Sequence, residues 1–295
     1  MPPASLQVLL AGLIDYAGFF PPAALSMREV VSNYAMYRQS SDAWALGRLI
    51  VPGARLSQLF ESIAPLALRT KDAWRISVLA GDDPAHDAEC IARWNVAMQG
   101  GVVVDAVEVR ASTPEAVACA AQVFGDALAV YVELPHGDDP ARLVAAVARA
   151  GVRAKIRTGG VTVDAFPTAM QVVRFLRRCA EHDVAFKATA GLHHPLRNAY
   201  PLTYAPDAAS AEMFGFLNLF LAAGFVRKGL PDCEVIALLD ERDPHSLQFT
   251  PDAIRWRDEE LDMQRLADVR TSFAVAFGSC SFREPIDDLH QLGLL

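Results

Sequence analysis

The chain has 295 residues, 52% of them hydrophobic and 21% charged, with a formal net charge of −8. That balance suits a globular protein with a substantial core and excludes a disordered chain. The acidic surplus gives no general attraction to phosphate backbones or anionic lipid, so neither nucleic acid nor a membrane is an expected partner.

From about residue 45 to 230, short β-branched runs alternate with longer helical patterns, as repeated βα units on a parallel sheet do. In chain order, a first strand is expected near Leu13–Phe19, followed by Gly47–Val51, Trp74–Ala80, Val102–Val109, Leu128–Leu134, Val152–Arg157 and Val184–Ala190. Helices are expected between them, among them Asp139–Ala150, opened by Asp-Asp-Pro, and Pro167–His182, with proline in its first turn. After residue 230 the rhythm breaks. Glu234–Asp240 suits either an eighth strand or a short helix, and Leu247–Arg257 suggests a small hairpin within an insertion at 244–260. Phe277-Gly-Ser-Cys-Ser-Phe282 then leads into a short helix from Pro285. The strand count approaches eight and no Gly-x-Gly-x-x-Gly follows the first strand. The expectation is one α/β domain over 1–295, a TIM-type (β/α)8 barrel with a small C-terminal hairpin insertion.

Met1–Gln7 has no cationic leader region, and no apolar run reaches the roughly 18 residues that span a bilayer. The longest, Phe214–Val226, reads as a buried helix. Cys90, Cys119, Cys179, Cys233 and Cys280 are scattered without Cys-x-x-Cys spacing, so a reducing, cytoplasmic location is the simpler expectation. Cys280 has no histidine partner identifiable by spacing and reads as a packing residue.

Alternate residues of a strand face opposite sides, so a barrel strand shows one face to its helices and one to the interior. That parity sets Glu108 and Arg110 on one face of the fourth strand, Tyr131 and Glu133 on that of the fifth, Lys155 and Arg157 on that of the sixth, and Lys187 and Thr189 on that of the seventh. Charge therefore collects on the interior face towards the strands' C-terminal ends, where barrel enzymes carry their sites. Only four of the 27 basic side chains are lysines (Lys71, Lys155, Lys187 and Lys228), and two of these fall inside strands. Arginine can neither form an imine nor lose its proton near neutral pH, whereas a crowded lysine can do both. Mutual repulsion between Lys155 and Lys187 is expected to lower one of their pKa values; the alternative is a structural ion network with Glu108 and Glu133.

The segments Lys155-Ile-Arg-Thr-Gly-Gly160 and Phe186-Lys-Ala-Thr-Ala-Gly191 resemble the two lysine-bearing strand ends of class I aldolases of the deoxyribose-phosphate aldolase kind. The resemblance covers about twelve residues and implies that one lysine forms the imine while the other perturbs it, with Lys187 as the imine candidate and Lys155 its neighbour. Arg157 and the His193-His194 pair have no counterpart in it. As a whole, the chain resembles uncharacterised bacterial barrel proteins.

His193 and His194 stand in the loop after the seventh strand, ahead of Pro195, where they can serve as acid–base groups or join Glu108 or Glu133 around a divalent metal. Asp15 and Tyr16 open a loop that either covers a substrate or plugs the barrel. The backbone at Thr158, Gly159, Gly160 and Ser279 offers N–H groups for an anion, with Arg110, Arg157 and Arg197 as charged partners. Together these features predict an aldolase- or lyase-like enzyme acting next to the carbonyl of a small anionic metabolite, with either no cofactor or a divalent metal, and with a homo-oligomer left open. The rivals are a metal-dependent lyase, isomerase or hydrolase, and a non-catalytic metabolite-binding barrel.

Overall fold

The computed structural model describes residues 2–67, 73–98 and 101–295. Seven short runs of largely apolar or β-branched residues form the strands β1 (Ile14–Tyr16), β2 (Leu46–Pro52), β3 (Trp74–Leu79), β4 (Val102–Arg110), β5 (Ala129–Leu134), β6 (Arg153–Arg157) and β7 (Phe186–Thr189). The loop after β7 carries a hairpin of β8 (Asn198–Pro201) and β9 (Ser210–Met213). Further on come β10 (Leu247–Phe249), β11 (Ala253–Trp256), β12 (Glu259–Asp262) and finally β13 (Ala274–Ser279). In the described residues, β1 to β7 and β13 close into a parallel barrel in which β13 lies between β7 and β1. The expected (β/α)8 barrel is thus the fold, and helices alternate with its strands.

Of the two states open to Glu234–Asp240, the structure has the helix, Asp232–Leu239, and the eighth barrel strand is Ala274–Ser279. Pro231 ahead of that helix and acidic side chains in its first turn favour the helical state. The expected hairpin at Leu247–Arg257 is present as β10 and β11 and is widened by β12 into a three-stranded antiparallel sheet.

This small sheet explains why the helix Phe216–Lys228 is apolar on every side. One side packs against the barrel through Phe216 and Phe277, whose rings stack 5.3 Å apart. On another side, a Cβ at Gly224 would lie 2.6 Å from the Leu261 Cδ1 of β12, so any side chain there would have to displace that methyl group. Residues 216–226 are all buried. Among the described residues no helix is long and apolar enough to cross a membrane.

The helix Ala169–Glu181 begins two residues later than expected. Thr168 caps it in a reciprocal box with Gln171, and Pro167 stands before the cap.

Candidate active site

Register builds the site. Arg110 on β4, Glu133 on β5, Lys155 on β6 and Lys187 on β7 are successive partners across four parallel strands, and so project together from one level of the barrel. Glu108, two residues before Arg110, reaches the same centre from below. The side chains expected from strand parity to share one face do so.

They form a chain of alternating charge. Asp15 Oδ2 accepts from Lys187 Nζ at 2.6 Å, and Lys187 Nζ donates to Glu108 Oε1 at 2.7 Å. The other oxygen of Glu108 lies 2.7 Å from Lys155 Nζ, which is also 2.7 Å from Glu133 Oε2. Arg157 Nε then donates to Glu133 Oε1 at 3.0 Å. Exposure increases along the chain, from 1% for the Asp15 and Lys187 side chains to 3% for Lys155, 10% for Glu133 and 33% for Arg157. It therefore runs from the sealed barrel interior to the mouth. Ser77 donates to Glu108 and the backbone N–H of Arg48 donates to Asp15, which fixes the inner end.

The expected repulsion between the lysines does not arise, because Glu108 separates them. Burial works against the charged form of Lys187, but Asp15 and Glu108 outweigh it and hold this lysine above the ordinary range. Burial likewise opposes the Glu108 carboxylate, yet Lys155 and Lys187 hold it well below its usual value. Glu133 is also held low, since Lys155 and Arg157 overcome its desolvation. Ions this deep cost several kcal/mol each before pairing, so a core selected only for stability would carry Val, Ile or Leu here. The outer end is less tightly fixed. The Lys155 contact with Glu133 Oε2 is close but poorly directed, and leaves that buried oxygen without a hydrogen bond.

A cavity of about 290 Å³ opens over the chain's outer half. Glu108, Lys155, Arg157 and Arg110 line one part of it, and Phe20, Pro22, Ile50 and Leu79 supply an apolar part. Arg110 is 73% exposed and 3.7 Å from Glu133, so most of its donors face the opening. Lys187 does not line the cavity.

The remaining expected residues divide. Gly160 lines the cavity, whereas Thr158 and Gly159 lie behind the wall. The Thr158 hydroxyl donates to the carbonyl of Ala190 at 2.6 Å, and Gly159 packs against Gly191, tying the ends of β6 and β7 together. Asp15 and Tyr16 are buried beneath the cavity: Asp15 belongs to the ion chain, and the Tyr16 hydroxyl accepts from Asn33, with burial pushing its pKa up to about 12. The loop that follows them does contribute, through Ala17, Phe20, Pro21 and Pro22. Ser279 is buried and accepts from the Ser281 N–H. Arg197 pairs with Asp240 at 3.0 Å and lies over the Phe214 ring, away from the cavity.

His193 and His194 line the opposite wall but do not converge with Glu108 or Glu133. His193 Nδ1 is 2.9 Å from Glu284 and His194 Nδ1 is 2.6 Å from Asp288, both acids coming from the helix Arg283–Gln291. Among the described residues no three or more His, Cys, Asp or Glu side chains are arranged to hold a metal ion. Burial disfavours the charged His193 ring, yet its contacts with Cys280 and Glu284 prevail and push it up to about 10. Cys280, expected to be a packing residue, is buried, lies 3.9 Å from the same ring and lines the cavity. Glu284 and Tyr204 were not legible as site residues. The only local signal for Glu284 is an acid in the first turn of a helix that follows a strand end.

No protein-family model and no curated protein matches this chain.

Proposed function

We propose that the chain is a lyase of the aldolase type that forms an imine between Lys155 and the carbonyl of a small anionic substrate. The observation that carries this reading is the asymmetry of the two interior lysines: Lys155 lines the cavity between two carboxylates, whereas Lys187 is sealed beneath it and bonded to both Asp15 and Glu108. The nucleophile is therefore Lys155 in place of Lys187. Lys187 is a positioning residue that holds Glu108 against Lys155.

Arg157 gives the site a way to release a free amine only when substrate is present. Lys155 first, and then the guanidinium of Arg157, keep Glu133 ionised. A substrate carboxylate or phosphate bound by Arg110 and Arg157 draws that charge away, so Glu133 becomes the stronger base and takes a proton from Lys155, 2.7 Å away. The neutral amine attacks the carbonyl carbon. The carbinolamine loses its hydroxyl with the proton from Glu133, so amine, carbonyl and that proton give a protonated imine plus water and leave Glu133 as the carboxylate. The cationic imine accepts the electron pair when the neighbouring carbon–carbon bond breaks, and the low-polarity wall of Phe20, Ile50 and Leu79 strengthens each of these interactions by limiting water.

Borohydride reduction in the presence of small keto acids, aldehydes or sugar phosphates should trap an adduct on Lys155, and Lys155→Arg should abolish it. An adduct on Lys187 would exchange the two roles. Labelling confined to surface Lys228, or to Lys71, which lies outside the described residues, would sink the imine chemistry.

A further inference from the structure

We propose that Cys280, His193 and Glu284 form a second reactive centre on the opposite wall of the same cavity, where the thiol reversibly captures a small aldehyde as a hemithioacetal. Cys280 follows directly on β13 and His193 lies in the loop after β7, and the adjacency of these strands in the barrel brings the two together. The sulfur is 3.9 Å from His193 Nδ1 and 4.0 Å from Nε2, about equally far from the two nitrogens. Glu284 anchors the ring through Nδ1 at 2.9 Å, leaving Nε2 to serve the reacting atoms. The Tyr204 hydroxyl lies 3.6 Å from the sulfur and donates at 3.2 Å to Glu284 Oε2, the same oxygen that meets His193. All four side chains line the cavity. Nucleophile, proton carrier and anchoring acid thus stand in the order that activates a thiol.

An aldehyde is the class of ligand that this arrangement completes without any further reactant. The sulfur attacks the carbonyl carbon, a C–S bond forms, and the π pair of C=O becomes a lone pair on oxygen. The proton that leaves sulfur ends on that oxygen by way of the His193 ring. Thiol plus aldehyde gives the hemithioacetal, with nothing oxidised and no leaving group. The assignment stands on this wall alone and does not depend on imine formation at Lys155, although an amine and a thiol across one cavity would suit a reaction that joins or separates two carbonyl compounds.

The test is timed alkylation of the native protein with limiting iodoacetamide at neutral pH, read residue by residue by mass spectrometry. Cys280, although buried, should label at least as fast as the exposed Cys119 and Cys233, whereas Cys179, sealed in the core, should stay unlabelled. Glycolaldehyde should slow labelling of Cys280 about tenfold while exposed Cys119 and Cys233 serve as unchanged references. Protection should persist in Lys155→Arg, which cannot form an imine, and should weaken about tenfold in His193→Gln. Protection that vanishes in Lys155→Arg would assign it to the amine and overturn the thiol site. So would a wild-type Cys280 rate below that of the exposed Cys119 and Cys233, a comparison that holds even if a variant fails to fold.

Discussion

Lys155 and Lys187 are register partners on adjacent strands, yet their ammonium groups meet through a shared carboxylate, one oxygen of Glu108 lying 2.7 Å from each. Removing that charge while keeping the shape should be costly. Glu108→Gln leaves two buried cations facing each other and should destabilise the fold by about 3–5 kcal/mol. Chemical denaturation measures this directly, and a loss below about 1 kcal/mol would show that the lysines relax to other partners.

Arg157 is assigned to both Glu133 and the substrate anion, so its removal should discriminate between substrates by charge. In Arg157→Gln, borohydride trapping with pyruvate should fall by about tenfold or more, the worth of one charge-assisted hydrogen bond. Trapping with neutral dihydroxyacetone should fall less. Equal losses for both would place Arg157 outside the anion site.

The pH dependence of stability separates the two walls. Glu108 and Glu133 have lowered pKa values, so their contribution is present above about pH 4.3 and is lost as pH falls through the folded values. Lys187 is raised, so its contribution is full below about pH 10.4 and is lost only at still higher pH. His193, raised to about 10, contributes fully below its unfolded value of about 6.5 and progressively less above it. Stability should therefore decline by about 1 kcal/mol between roughly pH 6.5 and 8, and His193→Gln should flatten that slope. Urea titrations at closely spaced pH values give the comparison, and an unchanged slope would count against a charged His193.

Gly159→Ala should loosen the cavity wall without touching a charged group. A Cβ there would lie 2.5 Å from the Phe166 ring and 2.8 Å from the Gly191 Cα, and the backbone contact cannot give way cheaply. Gly191 itself has φ +71, which ties that turn to glycine. The expected cost is about 1–3 kcal/mol, together with weaker anion selectivity as Arg157, two residues earlier, shifts. A melting temperature equal to that of the wild type would show that the loop can open to accept a methyl group.

What the sequence by itself determined is the alternation: where β4 to β7 run, and that Glu108, Glu133, Lys155 and Lys187 share the interior face. The period of two in a strand is a local property, and parallel pairing carries it from strand to strand without further information. Only the tertiary structure decided how deep each residue lies and what it meets. Parity put both lysines inside but could not say that Lys187 is sealed under Glu108 while Lys155 reaches the cavity, because the two are register partners and differ only in the side chains that other strands bring to each. The eighth strand, Ala274–Ser279, was hidden behind the helix Asp232–Leu239 and the inserted sheet, since a short apolar run looks alike in either state. Its return beside β1 and β7 sets Cys280 and Glu284 against His193, 87 and 91 residues away in sequence. That proximity comes from closing the barrel, which no local pattern encodes.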